Sequence, residues 1–339
     1  MIMGKRGRIF LGIFLVLAIG IFVAEYRARN VGPGEGGQAP APGFAVPIEE
    51  IYNSGLSSTS IPSINEPKFV SVREADSYLY DEGEGIAFGD SGDERFYPFQ
   101  LLVWHMAVND AYADRPIAVT YDPLAGSALV YDRRVNGVAL RFGVSGKLWN
   151  SNILLEDPAA PGFWLQSTGE AFSGEQLGAK LSALSSEIIT WKNWKARYPN
   201  GRVLSKETGF VRDYTRNPYL DYEESRVVYF PLTNRDIRLH PKEFVFGYEG
   251  PSGEAKAYPR EYLIEEGAIT DTVGGRKLSL RYDTDTGALS VVGENAVGEG
   301  ESVILRPMYW FLWAAIHKDS ELYDPLGEKE KQEQGQKAE

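Results

Sequence analysis

Cysteine is absent from the 339 residues of this chain, which excludes disulfide bonds, thiolate metal ligands and a cysteine nucleophile. Histidine occurs only at His105, His240 and His317, so imidazole chemistry has at most three positions. Basic residues are also scarce, since 35 of them against 47 acidic residues leave a formal net charge of -12. A nucleic-acid partner is therefore not expected, because phosphate backbones bind basic surfaces.

Apolar and aromatic residues are frequent enough to build a core, at 43% and 12% of the chain. Short runs with apolar residues at alternate positions, such as 117–121 and 128–132, are separated by turns that contain glycine, which predicts antiparallel strands. Apolar residues three and four apart predict helices over 174–184, 188–198 and 309–317. The predicted fold is therefore α+β, mainly antiparallel β with a few helices.

An uncharged apolar run lies near the N-terminus, at residues 9–24, with basic residues on both sides. Such a run is typical of an export signal or a membrane anchor. As a helix it would be about 24 Å long, slightly less than a hydrocarbon core of about 30 Å. The bulky and charged residues from Glu25 to Arg29 do not fit a signal-peptidase site. The sequence therefore predicts an uncleaved signal anchor over residues 1–29, with a cleaved secretory peptide as the alternative. Both predict a folded part outside the cytoplasm.

Composition also predicts the boundaries of the folded region. Residues 30–47 are mostly glycine, proline and alanine, which predicts a flexible tether. Residues 327–339 are almost entirely polar, which predicts a solvated tail. The folded region is then 48–326, long enough for one large domain or two modest ones.

Two motifs in this region occur twice. Tyr97-Pro98 aligns with Tyr258-Pro259, and the ungapped alignment continues for some thirty residues at an offset of 161. A Trp-x-x-Trp-x-Ala motif at 191–196 recurs at 310–315, at an offset of 119. Each tryptophan pair has the spacing of one helix face, where it is expected to pack in the core or between repeats rather than bind a ligand.

These repeats predict two related half-units that arose by internal duplication. The first, longer copy is expected over 48–250 and the second, shortened copy over 251–326. The longer copy contains an additional segment with FGVSGKLWNSN at 142–152 and FWLQSTGEAFSG at 163–174. A special function is expected in that segment, because the second copy lacks it.

Several segments, taken together and in order, resemble a known family, domain of unknown function 3179. They are YPFQLLVWHMAVND (97–110), VTYDPLAGSALVYD (119–132), FGVSGKLWNSN (142–152), FWLQSTGEAFSG (163–174), TWKNWKARYPNGRVLS (190–205) and DIRLHPKEFVFGY (236–248). Members of that family usually carry cysteine where this chain has Asp122, in a TYCPL turn. The resemblance implies a domain type without a reaction, and a thiol-based role cannot be transferred to this chain.

The first candidate site combines His105 with Asp122, since an imidazole and a carboxylate in one cleft bind metals or move protons. At the offset of 161 these residues correspond to Glu266 and Asp283, so the four are candidate ligands for a divalent metal. The alternative is structural: His105 as a buried hydrogen-bonding residue, and Asp122 as the residue that closes the turn before Pro123.

Three further residues are candidate ligand-binding positions. Ser145 lies in a glycine-flanked turn that lacks the hydrolase spacing, but its backbone amides suit an anion. Trp164 and Gln166 offer an aromatic face and an amide for a sugar or peptide, although a half-covered core tryptophan is the alternative. The spacing around Asp283 differs from that of a calcium loop.

The sequence therefore favours a membrane-anchored, single-pass protein outside the cytoplasm that acts as a binding or assembly module. Its expected partners are the membrane, through the N-terminal helix, and an unidentified protein or small molecule. The alternative is a metal-dependent or acid–base enzyme with a site around His105 and Asp122. A carbohydrate-binding protein that uses Trp164 is a third hypothesis. No cofactor is identified from the sequence, and a divalent metal stays open.

Overall fold

The computed structural model describes residues 40–56, 59–219, 221–294 and 300–325. Within these ranges no helix has both the length and the apolar character needed to cross a membrane. The predicted signal anchor at 1–29 and the predicted tail at 327–339 lie outside them. The helices are short, and a 3-10 turn at Ile48–Glu50 precedes α1 (Val72–Ala75), α2 (Phe99–His105), α3 (Trp191–Arg197), α4 (Arg260–Glu266) and α5 (Trp310–Ile316).

The first half of the fold, residues 52–204, is built from short strands. They are β1 (Tyr52–Asn53), β2 (Phe69–Ser71), β3 (Glu84–Phe88), β4 (Arg95–Pro98), β5 (Ala107–Tyr112), β6 (Arg115–Asp122), β7 (Ser127–Asp132), β8 (Arg134–Val135), β9 (Val138–Ala139), β10 (Gly143–Trp149), β11 (Asn152–Asp157), β12 (Ala160–Leu165), β13 (Ser182–Leu184), β14 (Glu187–Thr190) and β15 (Arg202–Leu204). The sheet orders are β14-β3-β4-β15-β2, β13-β7-β6-β5 and β1-β10-β11-β12, with a β8-β9 ribbon.

The second half, residues 244–322, is smaller. Its strands are β16 (Phe244–Glu249), β17 (Ala255–Pro259), β18 (Ala268–Val273), β19 (Arg276–Asp283), β20 (Ala288–Glu294), β21 (Gly300–Ser302), β22 (Arg306–Tyr309) and β23 (Glu321–Leu322). They form sheets of order β22-β16-β17-β23 and β18-β19-β20-β21. Most of the pairing in both halves is antiparallel, so the predicted class, mainly antiparallel β with few helices, is confirmed.

The helix predicted over 174–184 is wrong. Gly174 and Gly178 have φ values of 86° and 81°, outside the helical region, and they place turns in this stretch. Residues 182–184 form β13, which pairs with β7. The helix predicted over 188–198 begins only at Trp191, because Thr190 ends β14 and its hydroxyl caps the helix by accepting from the Asn193 amide.

Residues 40–47 include the end of the predicted tether. Phe44 forms a bridge with Ser173, and the Ala45 amide donates to the Phe172 carbonyl at 2.8 Å. Val46 packs against a small apolar cluster of Leu154, Leu165 and Phe172. This end of the segment is therefore attached to the first half.

The described residues of the connecting segment, 205–243, contain neither helix nor strand. The Lys242 ammonium group is buried and donates to the carbonyls of Tyr222, Ser225 and Val227, while it lies 3.5 Å from the centre of the Tyr222 ring. Burial lowers the pKa of Lys242 to about 8. One amine therefore connects the end of this segment to three carbonyls between Tyr222 and Val227.

In each half, an aspartate connects two strands; Asp110 is buried and Asp271 is partly buried. Asp110 accepts from the Tyr97 hydroxyl and from Arg95 Nη1, both at 2.6 Å. Asp271 accepts from the Tyr258 hydroxyl at 2.9 Å and pairs with Lys256 Nζ at 2.7 Å. Such charge-assisted bonds are the strong ones, and burial strengthens them. They tie β4 to β5 and β17 to β18 on either side of a helix.

The halves meet at the turn between β6 and β7. The Tyr309 amide donates to the Ala125 carbonyl at 2.8 Å, and a Cβ at Gly126 would lie 2.8 Å from the Tyr309 ring. The equivalent turn of the second half is less tightly packed, since a Cβ at Gly287 would lie 3.6 Å from Asn193 Nδ2. Both glycines have positive φ, 61° and 71°.

Gly126→Ala should therefore destabilise the protein more than its matched control, Gly287→Ala. Both variants force alanine into positive φ, at a cost of about 1 kcal/mol. Only the first also drives a methyl group into the Tyr309 ring, which should add about 1–3 kcal/mol. Urea unfolding measures both. Equal losses would mean that the contact with Tyr309 does not constrain the junction.

Candidate functional site

Asp122 is the last residue of β6 and is completely buried. Its Oδ1 accepts from the Leu124 amide at 2.9 Å, within the turn that the sequence predicted. Its Oδ2 accepts from Asn152 Nδ2 at 2.7 Å and from the Ile153 amide at 2.8 Å. Asp122 thus closes a turn and also attaches β6 to the start of β11.

The hydrogen bonds of Asp122 continue into a buried polar cluster. Asn152 Nδ2 also donates to Gln166 Oε1 at 3.0 Å, and Gln166 Nε2 donates to Thr120 Oγ1 at 2.9 Å. We call Thr120, Asp122, Asn152 and Gln166 the Asp122 network. It joins strand β6, which supplies Thr120 and Asp122, to the segment 142–174, which supplies Asn152 and Gln166.

The Asp122 carboxylate acts only as a hydrogen-bond acceptor. The N–H groups of Ile153, Asn152 and Leu124 favour the ionised form, but burial dominates and raises the pKa of Asp122 to about 6. A carboxyl with such a pKa changes its charge near neutral pH. No basic side chain in the described residues forms an ion pair with it.

Two serine hydroxyls beside the network have no hydrogen-bond partner among the described residues. Ser127 pairs directly with Asp122 across the β6–β7 turn, and the Ser167 amide donates to Asn152 Oδ1 at 3.0 Å. Both hydroxyl oxygens are buried. These two hydroxyls therefore have hydrogen-bonding capacity beside the network that no described residue uses.

His105 ends α2 and is also completely buried. Its Nδ1 lies 2.7 Å from the Pro62 carbonyl, so Nδ1 carries the proton and donates, while Nε2 accepts from the Tyr214 hydroxyl at 2.7 Å. Burial lowers the pKa of His105 to about 4. The imidazole is therefore neutral at pH 7, with both nitrogens already hydrogen-bonded.

His105 and Asp122, the two residues of the first predicted site, have separate hydrogen-bond partners. The Tyr121 amide donates to the Met106 carbonyl at 2.9 Å, so the backbones beside Asp122 and His105 are adjacent. The side chains of His105 and Asp122 nevertheless bond to different groups.

Asp283 is exposed and its Oδ1 accepts from the amides of Asp285 and Thr286, both at 3.0 Å. Among the described residues no group of three or more His, Asp or Glu side chains has the arrangement of a metal site.

The remaining predicted residues lie inside the first half or at the surface. Ser145 Oγ donates to the Leu154 carbonyl at 2.6 Å at an irregularity of β10. Trp164 is 1% exposed and packs edge-on against Phe142, with ring centres 5.7 Å apart, so it offers no open aromatic face. Gln166 belongs to the Asp122 network, and Glu266 ends α4 with partial exposure.

A cleft of about 350 Å³ lies between the two halves, and the sequence did not identify it. Four consecutive stretches line most of it: 87–89 and 185–188 from the first half, and 289–291 and 302–305 from the second. We call it the inter-half cleft. Its volume is that of a small ligand site, and such sites are frequent between domains.

Acidic and hydroxyl groups are set among apolar residues in this cleft. The Glu187 carboxylate is held by Arg197, with Nη1 and Nη2 at 2.6 and 3.2 Å. Glu94 forms no ion pair with any described residue. Leu129 contributes apolar surface, and its carbonyl accepts from Thr120, so the cleft wall adjoins the Asp122 network.

The model of the family described as "Protein of unknown function (DUF3179)" matches residues 58–309. The chain belongs to this family, as the resemblance of its motifs implied. Comparison with curated proteins and with solved structures gave no match.

Asp122→Asn should destabilise the protein by about 2–4 kcal/mol at pH 8, because the new amide directs N–H groups at neighbours that can only donate. The matched control is Asp283→Asn at the equivalent, exposed position, where the amide oxygen keeps the turn and a change within about 0.5 kcal/mol is expected. Urea unfolding measures both. Similar changes in the two variants would show that the Asp122 network does not depend on its charge.

The burial of His105 predicts a pH dependence. Between the ordinary pKa of 6.5 and the folded value of about 4, the unfolded chain binds a proton that the folded protein does not. The contribution of His105 is therefore complete above pH 6.5 and is lost as the pH falls towards 4, by about 3 kcal/mol at most.

Replacement of the histidine isolates this contribution. The difference in unfolding free energy between the wild type and His105→Gln should shrink as the pH is lowered through this window. Asp122 acts in the opposite direction between pH 3.8 and about 6, since its raised pKa favours the folded state at low pH. That contribution is common to both proteins and cancels. A constant difference would mean that His105 is not buried in its neutral form.

Proposed function

We propose that the protein is a binding module made of two duplicated halves, with its ligand site in the inter-half cleft. The observation that carries this proposal is the cleft itself, whose walls come from both halves. We further propose that residues 1–29 anchor the chain in a membrane, with the cleft presented outside the cytoplasm. The apolar run at 9–24 supports the anchor.

The proposed duplication is supported by equivalent elements at constant offsets. Helices α2 and α4 have the same length at an offset of 161, and each follows Tyr-Pro. Helices α3 and α5 match at an offset of 119. The parallel pair of β15 with β4 corresponds to that of β23 with β17. Matched bonds add to this, because the Tyr–Asp–cation contacts of Asp110 and Asp271 use aligned residues.

The proposed placement of the ligand is supported by unequal packing at two corresponding junctions. Where β22 of the second half meets the β6–β7 turn, Tyr309 fills the space above Gly126. At the corresponding place, where β14 meets β20, Gly287 has no such neighbour. Both β14 and β20 line the inter-half cleft. Pockets of this kind, partly apolar with a few polar groups, are the usual form of ligand sites.

An enzyme centred on Asp122 has one observation in its favour, the pKa near 6, which suits a general acid or base. A reacting group must also reach a substrate. Asp122 and His105 are both completely buried, and their hydrogen-bonding atoms are already bonded within the protein. The binding function therefore has the better support.

Ser290→Trp should fill the inter-half cleft and abolish ligand binding. Its control is Ser279→Trp, an exposed serine on the neighbouring strand β19 that does not line the cleft. A fragment library screened by ligand-observed NMR against the full-length chain should give hits for the wild type and Ser279→Trp that Ser290→Trp loses. Hits that persist in Ser290→Trp, or the absence of hits, would contradict the proposal.

A further inference from the structure

Strand β14 lies at the edge of its sheet and borders the inter-half cleft. It pairs with β3 on one side, in the order β14-β3-β4-β15-β2. In a strand, the backbone groups that do not point to the neighbour point away from it. The outer N–H and C=O groups of β14 have no backbone partner among the described residues.

The beginning of β14 and the residues before it line the cleft. Ser185 and Ser186 precede the strand, and Glu187 and Ile188 are its first two residues. On the opposite wall, 302–305 comprise the last residue of β21 and the connection to β22. The N-terminal end of the β14 edge therefore borders the cleft.

The opposite wall also offers unpaired backbone. Residues 303–305 connect β21 to β22 without belonging to a strand, and no backbone hydrogen bond in the described part of the chain involves them. The same holds for Ser185 and Ser186, which precede β14. Exposed strand edges are templates for a further strand, and proteins usually cover or shorten them. Here they border a cleft.

We infer that the ligand of the inter-half cleft is an extended peptide segment that adds to the sheet beside β14. This inference rests on the proposed function and names its ligand class. Main-chain hydrogen bonds to β14 supply the affinity, as in other cases of strand addition, and the cleft walls select the side chains.

The cleft walls favour a peptide with apolar residues and one basic residue. Leu129, Phe246 and Val291 provide apolar surface on the cleft walls. Glu94 provides a carboxylate without an ion pair in the described residues, in a protein whose net charge is -12. A lysine or arginine on the peptide would complete that pair, and the charge of the whole protein would steer a basic peptide towards it.

Methylation of the peptide backbone tests the strand addition directly. The probes are fluorescent acetylated hexapeptides that alternate valine and threonine and carry one lysine. Two analogues carry N-methyl groups at alternate residues, on one edge of the extended peptide or on the other. Fluorescence anisotropy with the full-length chain in detergent should show that methylation of the pairing edge weakens binding at least about tenfold, while methylation of the other edge has a smaller effect.

Variants of the protein locate the bound peptide. Ser290→Trp should abolish binding, whereas Ser279→Trp should bind as the wild type does. Glu94→Gln should weaken the lysine peptide several-fold and leave a peptide with threonine in place of lysine unchanged. Hydrogen exchange of the β14 amides should slow when the unmethylated peptide is present.

The possible results separate this inference from the proposed function. Equal affinities for all methylated forms would overturn strand addition. Fragments that bind in the cleft, together with peptides that do not, would overturn the peptide ligand and leave the binding module intact. If neither fragments nor peptides bind, both proposals fail.

Discussion

An aspartate held by a tyrosine and a cation is the interaction on which each half depends. Asp110 with Tyr97 and Arg95, and Asp271 with Tyr258 and Lys256, fix the strand before a helix to the strand after it. The direction of the short helix between these two strands is thereby fixed. Three consecutive antiparallel strands come after this helix in each half. The cation is Arg95 in the first half and Lys256 in the second, but in both halves it lies on the strand before the helix and pairs with the aspartate.

Identical residues at aligned positions can nevertheless have different surroundings. Asp122 and Asp283 both close a turn after a long strand, and both accept backbone N–H bonds there. Only the first half carries the additional strands β10 to β12, which bring Asn152 and Gln166 over Asp122. The same side chain is therefore a buried, network-forming group in one half and an exposed turn residue in the other.

The sequence was informative where the pattern is local. The strand pair β6–β7, the helix at 310–316 and the turn at Asp122 follow from alternation, spacing and turn chemistry. The sequence was misleading at 174–184. The apolar residues there have helical spacing, but that spacing does not reveal that Gly174 and Gly178 adopt positive φ angles, which a helix does not contain. The contact of His105 with Tyr214 and the inter-half cleft join residues far apart in the chain, and no local pattern encodes such contacts.

Lys242 gives the connecting segment an unusual sensitivity. Its amine is the common point of three carbonyls from the same segment, so the path of that chain is organised around one atom. Chemical acylation of that nitrogen, which removes its charge and leaves one N–H donor, would break most of these three hydrogen bonds at once. A reagent aimed at a single lysine would in this way act on tertiary structure.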